Sequence, residues 1–185
     1  ILIWFMLGYQ LLLFLLGFQY SLRVAKEKLA LSRTVLQLPH ISIIIPAHNE
    51  ELVIQRTLQS ILELDYPRDQ LEVLVVNDGS TDNTAAVVQK VAIRDTRVRL
   101  LNIPVEEGGR GKSAALNFAL AQASHPVIGV YDADNRPEPP ALKFLAEQLV
   151  SHEKLGAVIG MFRAINKSEN LLLRFLNIEA LSFQW

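Results

Sequence analysis

The sequence predicts an α/β fold: a Rossmann-like, mostly parallel sheet with helices on both faces, preceded by an N-terminal transmembrane helix. Short and almost wholly apolar runs alternate with amphipathic segments after Pro39, which is typical of buried parallel strands that alternate with covering helices. Polar or glycine-rich segments follow these apolar runs, and residues 1–20 carry no charge. These observations together predict one α/β domain behind an apolar helix.

The apolar segment at residues 1–20 contains two amide side chains, Gln10 and Gln19. About 20 apolar residues suffice to span a bilayer core as a helix, so we predict a transmembrane helix here. Residues 21–38 are predicted to form a basic juxtamembrane linker or helix, and the positive-inside rule predicts that this side lies in the cytoplasm. We therefore predict the membrane as a partner, and a location at the cell membrane with the domain that follows on the cytoplasmic side. A signal peptide or a buried core helix is the alternative.

The remainder, residues 39–185, is predicted to be one domain of strands and helices. β-Branched apolar runs predict strands at residues 41–45, 71–76, 98–103, 127–131 and 157–159. Apolar residues near a 3.6-residue spacing predict helices at residues 49–64, 82–94, 112–123, 139–150 and from residue 170 onward. In such a sheet, ligands bind beyond the carboxyl ends of the strands.

Composition excludes several classes of protein. The 185 residues have a net charge of -1, which gives no support for a nucleic-acid partner because such proteins carry a basic patch or stripe. The absence of cysteine excludes disulfides and thiolate chemistry. The four histidines are scattered without metal-ligand spacing, and only His48 lies in a segment that follows a main strand. The chain begins at Ile1, and we expect it to be a fragment.

Polar segments follow each of the four main strands, and in a parallel sheet these segments meet at one edge. They occupy residues 46–51, 77–84, 108–113 and 132–135. Gly79 lets the backbone turn tightly, and Ser80 or Thr81 is placed to cap the next helix. Lys112, at a helix start after a glycine-rich turn, is well placed for a diphosphate. Each feature is ordinary turn chemistry when taken singly, but their convergence predicts a binding site.

Asp132 and Asp134 are separated only by Ala133 and follow the apolar run 127–131. In an extended backbone, residues i and i+2 point to the same side, so both carboxylates can face one point. Such a pair repels unless a cation lies beside it, and Mg²⁺-type ions bind one or two carboxylates together with substrate phosphates. The pair predicts a divalent metal site; a polar turn with Asp as a helix N-cap is the alternative.

Two nucleotide-binding motifs match less well. The sequence from Gly111 to Ser113 is similar to the end of a P-loop, but Glu106 replaces the glycine that the motif needs five positions earlier. The spacing of Gly109, Gly111 and Ala114 fits a loose dinucleotide fingerprint, which however belongs directly after the first strand. A dinucleotide-binding oxidoreductase therefore remains the weaker alternative.

Together these segments resemble the inverting family 2 glycosyltransferases of GT-A fold, closest to the membrane-bound processive-type branch of cellulose, chitin, hyaluronan and poly-N-acetylglucosamine synthases. The resemblance covers roughly residues 40–165 and is carried by residues 43–51, 76–82, 111–117 and 132–134. It implies metal-assisted transfer of a sugar, with inversion, from a nucleoside diphosphate sugar to a saccharide or lipid acceptor. It further implies a UDP-sugar as donor and Mg²⁺ or Mn²⁺ as cofactor.

The resemblance also implies a set of eight donor-binding residues: Pro46, Ala47, Asn49, Glu50, Asp78, Lys112, Asp132 and Asp134. The first four would line the nucleoside pocket, Asp78 would contact the base and Lys112 would lie near the diphosphate. Asp132 and Asp134 would hold the ribose-diphosphate and the metal, with Asp134 as the expected direct ligand.

The sequence departs from the family in one respect. The family's general base lies in a later acidic motif, and processive members add a Gln-x-x-Arg-Trp motif; neither is present up to Trp185. Glu106 and Glu138 are possible carboxylates near the site, but a loop position in solvent is the expected role of both. We therefore expect the base beyond Trp185, no catalytic residue within the chain, and little transferase activity from the chain alone. A non-catalytic nucleotide-sugar-binding module is the alternative.

Overall fold

The computed structural model describes residues 2–31, 37–152 and 154–160 of the 185-residue chain. The chain divides into two compact units, Ile1–Gln37 and Leu38–Trp185. The predicted helix from residue 170 onward lies outside the described residues. The predicted domain boundaries after residues 20 and 38 stay predictions.

The first unit contains helix α1 (Leu2–Leu31). Within the described residues, no helix combines the length and the apolar character that crossing a membrane requires. Gln10 and Gln19 interrupt the apolar stretch, and Arg23 follows it closely. The predicted location at the cell membrane, with the domain on the cytoplasmic side, is therefore wrong, and the predicted span at residues 1–20 is not confirmed.

The second unit is an α/β layer structure, as predicted. Its strands are β1 (Ile41–Ala47), β2 (Leu71–Asp78), β3 (Val98–Ile103) and β4 (Val127–Val130). Its helices are α2 (Ile54–Leu62), α3 (Thr84–Arg94), α4 (Lys112–Leu120) and α5 (Ala141–Ser151), with a 3₁₀ turn at Arg68–Gln70. The four strands are parallel and lie in the order β3-β2-β1-β4.

Side chains of the central strand β1 alternate between the two faces of the sheet, as extended backbone requires. Ile43 and Ile45 join a core cluster with residues of α2, α3 and α5, whereas Ile44 joins a second cluster with Ala115 and Ala119 of α4. Every residue of β2 is buried. The helices therefore cover both faces, which explains why the central strands β1 and β2 are mostly apolar rather than alternating.

Some element boundaries differ from the prediction because the chain is used for tertiary contacts there. α2 begins at Ile54 rather than at residue 49, since Asn49 has a φ of 56°, outside the right-handed helical region. β1 continues through Pro46 although proline has no N–H to donate. β4 pairs only with residues 41–44, so no described strand lies beside Pro46 on that side to need this hydrogen bond. Residues 157–159 form no strand, and Ile159 is 85% exposed.

Glu72 of β2 joins the amino-terminal ends of the strands. Its carboxylate accepts hydrogen bonds from Ser42 Oγ (2.7 Å), Arg99 Nη1 (2.6 Å), and the amide and hydroxyl of Ser124 (3.0 Å each). Burial by itself raises the pKa of Glu72, but these hydrogen bonds outweigh it and lower the pKa to about 2. The partners belong to β1, β3 and the segment before β4, so one carboxylate connects all four strands.

We predict that Glu72→Gln lowers the free energy of unfolding by about 2 kcal/mol, because an amide cannot accept all four hydrogen bonds and its NH₂ group faces donors. This loss of stability stays below that expected for breaking a fully buried ion pair, because the Arg99 side chain that pairs with Glu72 is 45% exposed. Urea denaturation measures the change. Glu63→Gln, an exposed acid on the same unit, is the matched control and should change stability by less than about 0.5 kcal/mol. Equal effects of the two substitutions would contradict the assigned role.

We also expect the stability that Glu72 contributes to depend on acid pH. The folded-state pKa of about 2 lies below the ordinary value of 4.5, so the contribution is complete above the ordinary value and is lost as the pH falls toward the folded one. The difference in unfolding free energy between the wild type and Glu72→Gln should therefore shrink from pH 5 to pH 2. A constant difference over that range would show that the charge of Glu72 is not what stabilises the sheet.

Candidate functional site

A cleft of about 540 Å³ opens at the carboxyl edge of the sheet. Here β2 lies on one side of β1 and β4 on the other, which makes this edge the topological switch point where α/β sheets bind ligands. The described residues that line the cleft come from the four strand-end segments and the start of α4: Pro46, Ala47, His48, Glu50, Asp78, Gly109, Gly111, Lys112, Ala115, Asp132, Ala133 and Asp134.

Seven of the eight predicted donor-binding residues are brought together by this cleft: Pro46, Ala47, Glu50, Asp78, Lys112, Asp132 and Asp134. Asn49 is not among the lining residues, and neither are Glu106 and Glu138. Five lining residues were not predicted from the sequence: His48, Gly109, Gly111, Ala115 and Ala133. For His48 the available signal was its place in a strand-end segment.

Asp132 and Asp134 both line the cleft, but a turn rather than a strand positions them. β4 ends at Val130, and the Asn135 amide donates to Asp132 O at 3.1 Å to close the turn. Ala133 between them is 5% exposed, and its carbonyl accepts a hydrogen bond of 2.6 Å from Thr57 Oγ1 of α2. The buried Ala133 therefore anchors the turn from behind and leaves both carboxylates exposed at the cleft.

Lys112 begins α4 and forms an ion pair with Asp132 across the cleft. Gly109 and Gly111 before it have φ values of 71° and 90°, a region that glycine adopts without steric cost. The turn that these two glycines form positions the Lys112 side chain and the N-terminus of α4 at the cleft. Within the part of the chain that the structure describes, no hydrogen bond or ion pair engages the Asp134 carboxylate.

Asp78 ends β2 and is 6% exposed. Its Oδ1 accepts a hydrogen bond of 3.0 Å from the Gly109 amide, which joins the β2 end to the turn before α4. The backbones of Gly79 and Gly108 touch behind it: a Cβ on Gly108 would lie 2.7 Å from Gly79 Cα. The close approach fixes the position of the Asp78 carboxylate in the cleft wall.

Asn49 connects the ends of β1 and β2 instead of lining the cleft. The backbone N–H of Asn49 donates to Ser80 Oγ (3.0 Å), and its side-chain Oδ1 accepts from the backbone N–H of Thr81 (2.9 Å). Asn is one of the few side chains that tolerate the left-handed φ of 56° observed here. Ser80 and Thr81 therefore bind Asn49 rather than capping α3, whose first amide, Thr84 N, donates to Asp82 Oδ1 at 2.9 Å.

Asp82 continues this connection between the two loops. Its Oδ2 accepts from the Glu51 amide at 3.1 Å, while Glu51 Oε2 accepts from the Asn83 amide at 2.9 Å. Burial acts to raise the pKa of Asp82, but the hydrogen bonds from Thr84 and Glu51 outweigh it and hold the pKa below its ordinary value. The two hydrogen bonds thus hold the loops after β1 and β2 together.

His48 completes the connection on the cleft side. Its Nδ1 lies 2.6 Å from Asp78 O, and since a carbonyl only accepts, Nδ1 carries the proton. Nε2 then accepts from Asn49 Nδ2 at 3.3 Å. The side-chain amide of Asn49 is held in the orientation that makes this hydrogen bond, because its Oδ1 accepts from the backbone N–H of Thr81. Thr81, Asn49, His48 and Asp78 therefore form one directed chain of hydrogen bonds between the two strand ends.

The charge of the cleft favours a cation. Its lining carries four carboxylates, Glu50, Asp78, Asp132 and Asp134, against one lysine in the described residues. No group of three or more His, Cys, Asp or Glu side chains among the described residues could hold a metal ion unaided. The exposed pair Asp132 and Asp134 fits an Mg²⁺-type ion, which takes one or two protein carboxylates and completes its shell with phosphate and water.

Comparison with known proteins agrees with this geometry. The chain is 42% identical over 184 residues, its full length, to the probable glycosyltransferase YdaM of Bacillus subtilis (strain 168), and spans 44% of that protein. It is 36% identical over 135 residues, 73% of its length, to the poly-beta-1,6-N-acetyl-D-glucosamine synthase of Staphylococcus epidermidis, and spans 31% of it. The chain thus spans less than half the length of these relatives.

Solved structures show the same fold. The crystal structure of S. aureus TarS 1-349 in complex with UDP-GlcNAc superposes with a TM-score of 0.56 at 27% identity, over 67% of this chain and 38% of that one. Residues 42–180 match the family described as Glycosyl transferase family 2. The strand-end segments, their cleft and these relatives lead to one conclusion: the chain belongs to glycosyl transferase family 2.

Proposed function

We propose that the chain binds a nucleoside diphosphate sugar in this cleft, as the donor-binding part of an enzyme that transfers the sugar to a saccharide or lipid acceptor with inversion. The observation that carries the proposal is the convergence of Asp78, Lys112, Asp132 and Asp134 on one cleft at the switch point of the sheet. Within it, Pro46, Ala47 and Glu50 line the side assigned to the nucleoside.

A UDP-sugar is the proposed donor. TarS, whose structure superposes on this chain, has been crystallised with UDP-GlcNAc, and one relative is a synthase of poly-N-acetylglucosamine. Asp78 is buried at the end of β2, and its Oδ1 accepts a hydrogen bond from the Gly109 backbone N–H. In this proposal its carboxylate would accept a hydrogen bond from the nucleotide base. The acceptor hydroxyl needs a general base, usually a carboxylate, and we propose that no residue of this chain supplies it.

A divalent cation, Mg²⁺ or Mn²⁺, is the proposed cofactor. A diphosphate brought to a cleft with four carboxylates and one lysine is repelled unless further positive charge is present. Asp134 would hold the ion, with Asp132 beside it. When bound, the ion acts as a Lewis acid that stabilises the growing negative charge of the diphosphate leaving group. Lys112 and the N-terminus of α4 would add to that stabilisation.

Calorimetric titration with UDP and UDP-GlcNAc, with and without Mn²⁺, tests this function. We predict that both nucleotides bind more tightly with Mn²⁺. Asp134→Asn should lower the nucleotide affinity in the presence of Mn²⁺ by at least about tenfold, because the loss of a residue that merely supports a metal ligand already costs that much. Asp69→Asn, an exposed acid in the 3₁₀ turn, is the matched control and should bind like the wild type. Binding that is independent of Mn²⁺ and of Asp134 would exclude the metal role.

We predict that Gly108→Ala weakens UDP binding, because its Cβ would lie 2.7 Å from Gly79 Cα and 2.8 Å from Gly79 N. The 108–111 turn would have to move away from Asp78, at a cost in stability of about 1–3 kcal/mol. Gly156→Ala is the control, since a Cβ there meets nothing within 4 Å. If Gly108→Ala leaves UDP affinity and stability unchanged, the packing of these two loops does not position the site.

We propose that Asn49 contributes to the nucleoside side of the cleft by positioning His48 and Asp78. Asn49→Gly keeps the left-handed backbone but removes the side-chain bonds, and we predict weaker UDP binding that still depends on Mn²⁺. Asn49→Ala should lose about a further 1 kcal/mol of stability, since a Cβ disfavours positive φ. Titration and urea denaturation measure the two effects. Loss of the Mn²⁺ dependence in Asn49→Gly would contradict a role confined to the nucleoside side.

A further inference from the structure

The two acids of the cleft differ in what they contact. Asp132 forms an ion pair with Lys112, whereas the Asp134 carboxylate has no hydrogen bond or ion pair within the described residues. Lys112 is also the one Lys or Arg among the described residues that line the cleft. The single positive side chain among the described lining residues is thus paired with one of the two carboxylates proposed for the metal.

We propose that Lys112 is an internal counter-cation, which occupies Asp132 until a diphosphate draws it away and leaves Asp132 to the divalent cation. The inference rests on the proposed function, because it assigns the diphosphate and the metal to this cleft. A cation that arrives alone must compete with Lys112 for Asp132. A cation that arrives with the diphosphate meets a carboxylate that has lost its partner.

The exchange is physically easy. The side chains of Lys112 and Asp132 are 54% and 51% exposed, and an exposed ion pair contributes little net free energy. The ammonium group sits on a flexible four-carbon stem, so it can move to phosphate oxygens by side-chain rotation alone. Asp132, in contrast, is fixed by its turn, since the Ala133 beside it is buried and bonded to Thr57.

The consequence is coupling between metal and nucleotide. Lys112 lowers the affinity of the free chain for the cation, and the diphosphate removes that penalty when it binds. By linkage, the cation must raise the affinity for the nucleotide by the same factor. The device keeps the cleft from filling with metal in the absence of the donor.

The test is a titration of the chain with Mn²⁺, in which the electron paramagnetic resonance signal of the free ion is followed with and without saturating UDP. Lys112→Gln should bind Mn²⁺ alone about threefold to tenfold more tightly than the wild type, because it removes both the competitor and a like charge. The factor by which UDP increases Mn²⁺ affinity should fall correspondingly. Lys112→Arg, which keeps the cation, should retain the weak binding of Mn²⁺ alone.

Lys143→Gln is the matched control, since Lys143 is 43% exposed and pairs with Asp65 at 3.5 Å outside the cleft lining. It makes the same change in net charge and should leave Mn²⁺ binding as in the wild type. Equal Mn²⁺ affinity of Lys112→Gln and Lys143→Gln, in a chain whose wild type binds UDP with Mn²⁺, would overturn the counter-cation role alone. A wild type that fails to bind UDP with Mn²⁺ would overturn the proposed function, and this inference with it.

Discussion

The cleft depends on a mismatch in strand length at the centre of the sheet. β1 pairs with β2 along its whole length, from Ile41 to Ala47, but with β4 only as far as Ile44. Residues 45–47 therefore extend beyond β4 on one side, and the chain after Val130 turns away instead of continuing the sheet. The space left beside the end of β1 is where the acidic turn and the start of α4 meet.

The two edges of the sheet serve different purposes. At the amino edge, the Glu72 carboxylate gathers donors from three neighbouring segments and holds the strands in register. At the carboxyl edge, the loops after β1 and β2 are locked by hydrogen bonds through Asn49 and Asp82. On the proposed function, such a rigid frame would allow the exposed side chains Lys112 and Asp134 to bind a ligand without rearrangement of the backbone.

The fold and most of the site could be predicted because both follow from local patterns. Uniformly apolar runs predict buried parallel strands, and the parallel topology alone brings the four strand-end segments to one edge. What could not be predicted depends on contacts distant in the sequence. The start of α2 and the role of Asn49 depend on partners 31 and 32 residues away, and the place of His48 depends on a carbonyl 30 residues away. A run such as 157–159 looks like a strand locally, but it pairs with none of the four described strands.

The acidity of the cleft also bears on which anions it can accept. An isolated phosphate would approach Glu50, Asp78, Asp132 and Asp134. Among the described residues of the cleft, Lys112 and the N-terminus of α4 attract it, but the four carboxylates outnumber them, so its net electrostatic interaction with the lining is repulsive. A nucleoside diphosphate that binds together with a divalent cation has an attractive net interaction with the lining, because the ion is coordinated by the exposed acids and the diphosphate at once. The excess of carboxylates is therefore a means of selection: on the proposed function, the cleft discriminates against anions that cannot chelate the metal, and the buried Asp78 is left to distinguish among the nucleotides that can.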